Sequence, residues 1–126
     1  MCSMTSQGSA LMRFERAVRT GNPNIVIAAA HELPRPMLLR DALRVLLVLA
    51  VADRNRYPAA AARFGARLVA ERKLSVSEAQ LAFAALQTLA EPGPLAGGEA
   101  LSVLLEQHGE RDAARYLDEW LSAQGR

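Results

Sequence analysis

The chain has 126 residues, which is enough for one domain with its own hydrophobic core. Leucine and alanine supply 43 residues, whereas valine and isoleucine supply only 10. Because leucine and alanine favour helices and strands favour β-branched and aromatic residues, the composition predicts an all-α fold. The net charge of +2 and the aromatic content of 5% argue against a protein that binds nucleic acid by stacking bases.

The N-terminal segment is polar, and we expect a disordered tail over residues 1–8 followed by a single helical domain over residues 9–126. It lacks the charged start and apolar stretch of a secretory signal. The one cysteine, Cys2, cannot form an internal disulfide, which is typical of a reducing compartment. The longest apolar run is too short to span a bilayer. We therefore expect a cytoplasmic protein without a membrane segment.

The first helix is predicted from about Ala10 to Thr20, with Ser9 as its N-cap and Gly21 as its C-terminal stop. The second begins at Asn22-Pro23, an N-cap followed by proline at the first helical position. It ends near Leu33, because a proline follows and disfavours helical geometry in the residue before it. Its predicted inner stripe is Ile25, Ala28, Ala29 and Leu33.

The most apolar segment is Pro36–Ala52, which ends in an unbroken apolar run from Val45 to Ala52. A helix that is apolar on all sides is buried on all sides. We therefore predict a central helix over residues 36–52, around which the other helices pack. Leu46 and Leu47 are its expected core residues.

A fourth helix is predicted from Pro58 to Arg72. Glycine inside a helix costs about 1 kcal/mol relative to alanine. Gly65 therefore predicts the close approach of a neighbouring helix, and the central helix is the candidate.

The fifth helix has the clearest start signal, because Ser75 and Glu78 form a capping box. It is apolar on most sides from Leu81 to Leu86 and is predicted to be the second buried element. A loop is expected over residues 91–98, followed by helix 6 over about Gly98–His108 and helix 7 over about Glu110–Ala123.

Seven helices with mostly short connections predict stacked antiparallel hairpins around the central helix. Three segments pass from a helix through a turn into an alanine-rich helix, and Gly21, Asn55 and Gly109 mark the turns. The first two turns lie 34 residues apart, which is the tetratricopeptide period, although the next interval is 54 residues. The pattern resembles helical-hairpin repeats of the tetratricopeptide or HEAT kind. The segment Phe14–Leu89 also resembles small all-helical proteins of high-GC bacteria, a resemblance that implies no activity.

The best candidate for partner binding is the basic side of helix 4, where Arg56, Arg63 and Arg67 recur at spacings of seven and four. Arg72 extends this ridge, and Arg54 and Lys73 flank it. The ridge could contact phosphates or an acidic protein surface, or it could be a solvated face that pairs with nearby acids.

The charges also divide along the chain, with a net of +7 over residues 1–73 and −5 over residues 74–126. Such a division either marks a face for an acidic partner or lets the two halves attract each other. Trp120 and Tyr116, one turn apart on helix 7, are either core anchors or part of an interface.

No pattern in the sequence indicates catalysis, a cofactor or a metal site. The two histidines, His31 and His108, lie 77 residues apart, each in the last turn of a predicted helix. There is no GxSxG or GxxxxGK[ST] motif, and the paired acids of helix 7 lie on its polar side. The segment LSVSEAQLA resembles the start of a helix-turn-helix, but the helix after it presents apolar residues where a recognition helix needs polar ones.

We therefore predict a non-enzymatic helical interaction domain that binds a protein partner or itself. The alternative is a small nucleic-acid-associated protein that uses the arginine ridge, and a third possibility is an accessory subunit of an enzyme. The predicted partner-binding residues are Arg56, Arg63, Arg67, Arg72 and Trp120.

Overall fold

A computed structural model describes the backbone of residues 2–93 and 95–124, and the side chains of residues 8–93 and 95–124. Over this part of the chain there are seven α-helices and no strands, which confirms the all-α prediction. The helices are α1 Cys2–Thr20, α2 Pro23–His31, α3 Leu39–Ala52, α4 Tyr57–Arg72, α5 Val76–Thr88, α6 Leu95–Gln107 and α7 Arg111–Gln124.

Helix α1 begins earlier than the sequence predicts, at Cys2 instead of Ala10. Ser9 therefore lies inside the helix and is not its N-cap, and the helix extends into the segment expected to be a disordered tail. The helical turns continue because nothing in this polar segment breaks them, and proline in particular is absent. The C-terminal stop is confirmed, since Gly21 adopts a left-handed conformation with φ +67°.

Helix α2 is capped as predicted, because the Asn22 side chain accepts hydrogen bonds from the backbone N–H groups of Asn24 and Ile25. The predicted inner stripe is correct only in part. Ala29 and Leu33 are buried, but Ile25 is 48% exposed, Ala28 is exposed, and Val26 fills the core position instead. Helix α2 ends at His31, two residues before the predicted end.

Helix α3 has the central position that the sequence predicts, since it packs against α1, α2, α4 and α7. It begins at Leu39 and not at Pro36, because Leu38 has extended backbone (ψ 146°) and takes the N-cap position. Its buried apolar side chains are Leu39, Leu43, Leu46, Leu47, Leu49 and Ala50. Burial is not complete, however, because Val51 at the C-terminal end is 60% exposed.

The expectation of a close contact at Gly65 is correct, but the neighbour is α5 and not α3. A Cβ atom added at Gly65 would lie 2.3 Å from the ring of Phe83. The capping box of α5 is confirmed, because the Ser75 hydroxyl accepts from the Glu78 N–H while the Glu78 carboxylate accepts from the Ser75 N–H. The prediction that α5 is the second buried element is correct only in part. Ala82, Ala85 and Leu86 are buried, whereas Leu81 and Phe83 are 45% and 40% exposed.

The loop expected over residues 91–98 is shorter than predicted, because α6 already begins at Leu95. Two glycines that suggested a loop are instead helical and lie at helix contacts. A Cβ atom on Gly97 would lie 2.0 Å from the Thr88 hydroxyl oxygen of α5, and one on Gly98 would lie 2.4 Å from the side chain of Leu121 in α7. The missing side chains therefore let α6 approach both of its neighbours closely.

Each helix packs against the next one in the chain, as expected for consecutive hairpins. Helix α7 also returns to pack against α3, so that α3, α4, α5, α6 and α7 form a closed ring of contacts. In an open solenoid each repeat contacts only its neighbours, so the contact between α7 and α3 distinguishes this bundle from an open solenoid. The larger apolar cluster lies within the ring, a smaller one lies between α1 and α2, and Val45 of α3 packs against both.

Candidate functional site

A cleft of about 490 Å³ lies between α2, α3 and α4. Its floor and walls are mainly apolar, and they include Ile27, Ala30, Val45, Leu46, Ala60 and Phe64. Four basic side chains complete the lining: His31, Arg35, Arg63 and Arg67. We call this feature the arginine-edged cleft. Its volume falls within the range of roughly 300–1,000 Å³ that is usual for ligand sites.

The cleft exists because small side chains lie where three helices meet. Ala30 of α2, Ala42 of α3 and Ala60 of α4 all line it, and none can fill the space between the helices. Met37 borders the cleft from the α2–α3 connection. A methionine side chain is flexible and adapts to irregular surfaces. The walls can therefore adjust to the shape of an occupant.

Of the five predicted partner-binding residues, the structure brings Arg63 and Arg67 to the cleft and leaves the others elsewhere. Arg67 is held in place, since its guanidinium donates to the Met37 carbonyl oxygen at 2.6 Å and to the Glu71 carboxylate at 2.8 Å. Arg63 is exposed, and no hydrogen bond or ion pair engages it within the described residues. Arg63 is therefore the ridge residue whose charge is available to a partner.

The ends of the predicted ridge are paired with acids. Arg56 donates to the Asp53 carboxylate at 2.5 Å and to the Asn24 side chain at 2.6 Å. Arg72 lies 2.6 Å from the Glu110 carboxylate. The ridge is thus a mixed surface in which acids compensate much of the positive charge.

Two further polar residues of the cleft, Arg35 and His31, were not predicted as site residues. Arg35 lies in the α2–α3 connection, and its guanidinium is 3.2 Å from His31 Nδ1. Loop residues follow no helical periodicity, so no spacing in the sequence could place Arg35 next to Arg63.

The expected attraction between the two halves of the chain has a structural counterpart. The Arg40 guanidinium of α3 lies 3.0 Å from the Asp112 carboxylate of α7, and Arg72 pairs with Glu110 next to the start of α7. Both contacts join a cation of the basic half to an acid of the acidic half. The charge division therefore serves packing within the molecule at these two points.

Trp120 does not line the arginine-edged cleft. It is partly buried and packs against the larger apolar cluster, which is the core position that the sequence left open. Its neighbour Tyr116 is also partly buried, and the Arg44 guanidinium lies 4.9 Å from the centre of its ring. Burial raises the pKa of the Tyr116 hydroxyl.

Asp41 is a buried carboxylate that the sequence did not single out. It is only 5% exposed, and its Oδ1 atom has no hydrogen-bond partner in the described part of the chain. The nearest guanidinium nitrogens are those of Arg44 at 3.7 Å and Arg40 at 3.9 Å. Burial raises the pKa of Asp41, the charges of Arg40 and Arg44 lower it, and Glu15 raises it, with a net increase.

His108 lies 2.7 Å from the Glu78 carboxylate and joins the end of α6 to the capping box of α5. Hydrogen bonds from the Ser75 N–H and from His108 hold the pKa of Glu78 below its ordinary value. Over the described residues, no group of three or more His, Cys, Asp or Glu side chains is arranged to hold a metal ion.

Within the described helices, none has both the length and the apolar character that crossing a membrane requires. Comparisons with protein-family models, with curated proteins and with solved structures gave no match to this chain.

Proposed function

We propose that this protein is a non-enzymatic helical interaction domain, and that its partner docks in the arginine-edged cleft. The observation that carries the proposal is the cleft itself, an apolar depression of about 490 Å³ with Arg35, Arg63 and Arg67 among its lining residues. Apolar depressions with polar edges are typical of protein–protein contacts.

The chemistry of the lining favours binding over catalysis. The residues that border the cleft are apolar residues, arginines and His31, and among the described residues they include no carboxylate, hydroxyl or thiol. Arginine does not give up its proton in proteins, so it cannot act as a general base. His31 is the only ordinary proton-transfer group, and its neighbour Arg35 is a poor orienting partner for a catalytic imidazole.

The nucleic-acid alternative has less support from the charges. Neutralising several phosphates requires several available cations, whereas Arg56, Arg67 and Arg72 each contact an acid. We expect that duplex DNA or RNA will not bind the protein at low salt. Salt-dependent binding that is lost on Arg63→Glu with Arg67→Glu would favour the nucleic-acid alternative instead.

The proposal is tested by filling the cleft. Ala60→Trp places a large side chain in the space between the helices, and Ala66→Trp on the exposed side of the same helix is the matched control. We expect peptides selected from a random displayed library against the wild type to bind the Ala66→Trp variant and to lose binding to Ala60→Trp. Fluorescence anisotropy measures the binding, and circular dichroism melting shows whether each variant is folded.

If Ala60→Trp does not fold, Ile27→Trp blocks the cleft from the opposite wall. Peptides that bind both variants as tightly as the wild type would show that the cleft is not the docking surface. No enrichment over the Ala60→Trp background would contradict the interaction function itself.

Self-association is the second form of the same proposal. Light scattering at increasing protein concentration measures it. A mass that rises with concentration in the wild type and stays constant in Ala60→Trp would make a second copy of the chain the occupant. We also propose that the domain acts in the bacterial cytoplasm, which fractionation of cells expressing a tagged chain would test.

A further inference from the structure

The charges around the arginine-edged cleft point to an anionic occupant. Arg35, Arg63 and Arg67 all line it, and no described acidic residue does so. Two of these cations already have partners, because Arg67 is bound to Met37 and Glu71 while Arg35 contacts His31. Arg67 is paired with an acid, whereas the imidazole of His31 leaves the charge of Arg35 uncompensated, and Arg63 has no partner among the described residues. Arg63 is therefore the lining guanidinium of α4 that can form a new ion pair.

The position of Arg63 relates this charge to the apolar floor. On α4 it lies one turn after Ala60 and directly before Phe64, and all three residues line the cleft. Residues three positions apart on a helix lie on neighbouring points of one face. A carboxylate bound to Arg63 would therefore be held at the edge of the apolar space next to Ala60. The group beside that carboxylate would enter the space.

The apolar floor excludes ligands that carry charge alone. A free phosphate or a phosphodiester backbone would leave the partly exposed apolar side chains of Ile27, Met37 and Val45 against a polar group. Burial of apolar surface is the main favourable contribution to association. The occupant therefore combines a large apolar group with an anionic group adjacent to it.

The shape of the site favours a segment of a protein. Residues of three helices line the site, and an apolar depression between helices is the kind of groove that receives an amphipathic helix. Such a helix places apolar anchors and carboxylates at neighbouring positions of one face. Resting on the proposed function, we infer that the cleft binds a partner segment in which a carboxylate lies beside a large apolar side chain, and that Arg63 recognises the carboxylate.

The first arm of the experiment reads the sequences of the selected peptides. We expect those that bind the wild type and not Ala60→Trp to be enriched in Asp or Glu next to Leu, Ile, Phe, Met or Trp. Enrichment of apolar residues without acids would leave the interaction function in place and overturn this inference. This result is distinguishable from failure of the proposed function, in which no peptide is enriched at all.

The second arm reverses the charges. A selected peptide is resynthesised with its acid changed to Gln or to Lys, and each form is titrated against the wild type, Arg63→Glu and Arg54→Glu. Arg54 is the matched control, since it is an exposed arginine that does not line the cleft. We expect the Arg63→Glu variant to bind the acidic peptide about tenfold more weakly than the wild type does. The same variant should bind the Lys form of the peptide more tightly than the wild type does.

The inference is wrong if Arg63→Glu weakens the acidic peptide no more than Arg54→Glu does, or if the Gln form binds the wild type as tightly as the acidic form. Decanoate supplies a control for a small amphiphile, because it joins a carboxylate to an alkyl chain without a peptide. Binding of decanoate that depends on Arg63, with no peptide enriched, would also overturn it.

Discussion

The half of the molecule built from α1 to α4 and the half built from α5 to α7 pack their helices differently. In the first half, alanines face one another across three helices and leave the arginine-edged cleft open. In the second half, Gly97 and Gly98 bring α6 against α5 and α7. Small residues thus have two opposite effects. Alanines leave a cleft between helices whose backbones stay apart, whereas glycines allow two helix backbones to pack closely with no space between them.

The largest expected effect that separates the halves is the loss of a buried leucine. Leu105 of α6 is fully buried within the second half, whereas Leu46 of α3 is buried but also lines the cleft. We expect Leu105→Ala to lower the free energy of unfolding by about 4–5 kcal/mol and Leu46→Ala by about 2–3 kcal/mol, since a gap beside an open cleft is filled more easily. Urea denaturation measures both.

Leu38→Ala is the matched control, because Leu38 is 56% exposed and we expect a loss below about 0.5 kcal/mol. Equal losses at Leu105 and Leu46 would remove the distinction between the open and the closed half. A loss below about 1 kcal/mol at Leu46 would also contradict the central role of α3.

A smaller effect is expected from filling the glycine contacts. Gly97→Ala would place a Cβ atom 2.0 Å from the Thr88 hydroxyl oxygen, and we expect a loss of about 1–3 kcal/mol in the free energy of unfolding. Gly65→Ala meets the Phe83 ring, which is 40% exposed and can turn towards solvent. Its loss should be the smaller of the two in thermal or urea unfolding.

Gly8 provides the control for helix propensity, because a Cβ atom there would meet nothing within 4 Å. Gly8→Ala should raise the free energy of unfolding by about 0.5–1 kcal/mol. A similar gain at Gly97 would show that α6 is not in close contact with α5.

The smallest expected effect compares one carboxylate from each half. Burial raises the pKa of Asp41, so its ionised form destabilises the fold at neutral pH. Hydrogen bonds lower the pKa of Glu78, so its ionised form stabilises the fold. We therefore expect Asp41→Asn to raise the free energy of unfolding at pH ~7 and Glu78→Gln to lower it.

The sign of each expected change in the free energy of unfolding depends on whether the folded pKa lies above or below the unfolded pKa. The stabilisation of the fold that Asp41 gives in its protonated form is present below its unfolded pKa of about 3.9 and is lost as pH rises through the folded value. That of Glu78 is present above its unfolded pKa of about 4.3 and is lost as pH falls through the folded value. For both variants, the difference from the wild type in the free energy of unfolding should become smaller between pH ~7 and pH ~4. Shifts of the same sign in the two variants would contradict the assignment.

Local chemistry explains which parts of the fold could be predicted. The Asn22 cap, the Ser75–Glu78 capping box and the left-handed turns at Gly21 and Gly109 involve residues close together in the chain. Each satisfies backbone groups at a helix end, so a few neighbouring residues are enough to recognise it. These predictions are confirmed.

The parts that could not be predicted depend on which helix faces which. Gly97 and Gly98 have loop composition but lie in a helix at contacts with α5 and α7, and the neighbour of Gly65 is Phe83 of α5. For the candidate site, the sequence placed Arg63 and Arg67 on one face. It offered Glu71 as a partner for the ridge, but it could not show that the Met37 carbonyl oxygen also engages Arg67, because Met37 lies 30 residues away in the chain.

The return of α7 to α3 has a consequence for synthesis of the chain. The side of α3 that carries Arg40 and Arg44 contacts Asp112 and Tyr116 of α7, which are synthesised 72 residues later. At about 5–20 residues per second, α7 follows this side of α3 after roughly 4–14 seconds. During that interval the surface of α3 that α7 covers in the folded protein stays exposed, so the ring of helices can close only after the last helix has been made.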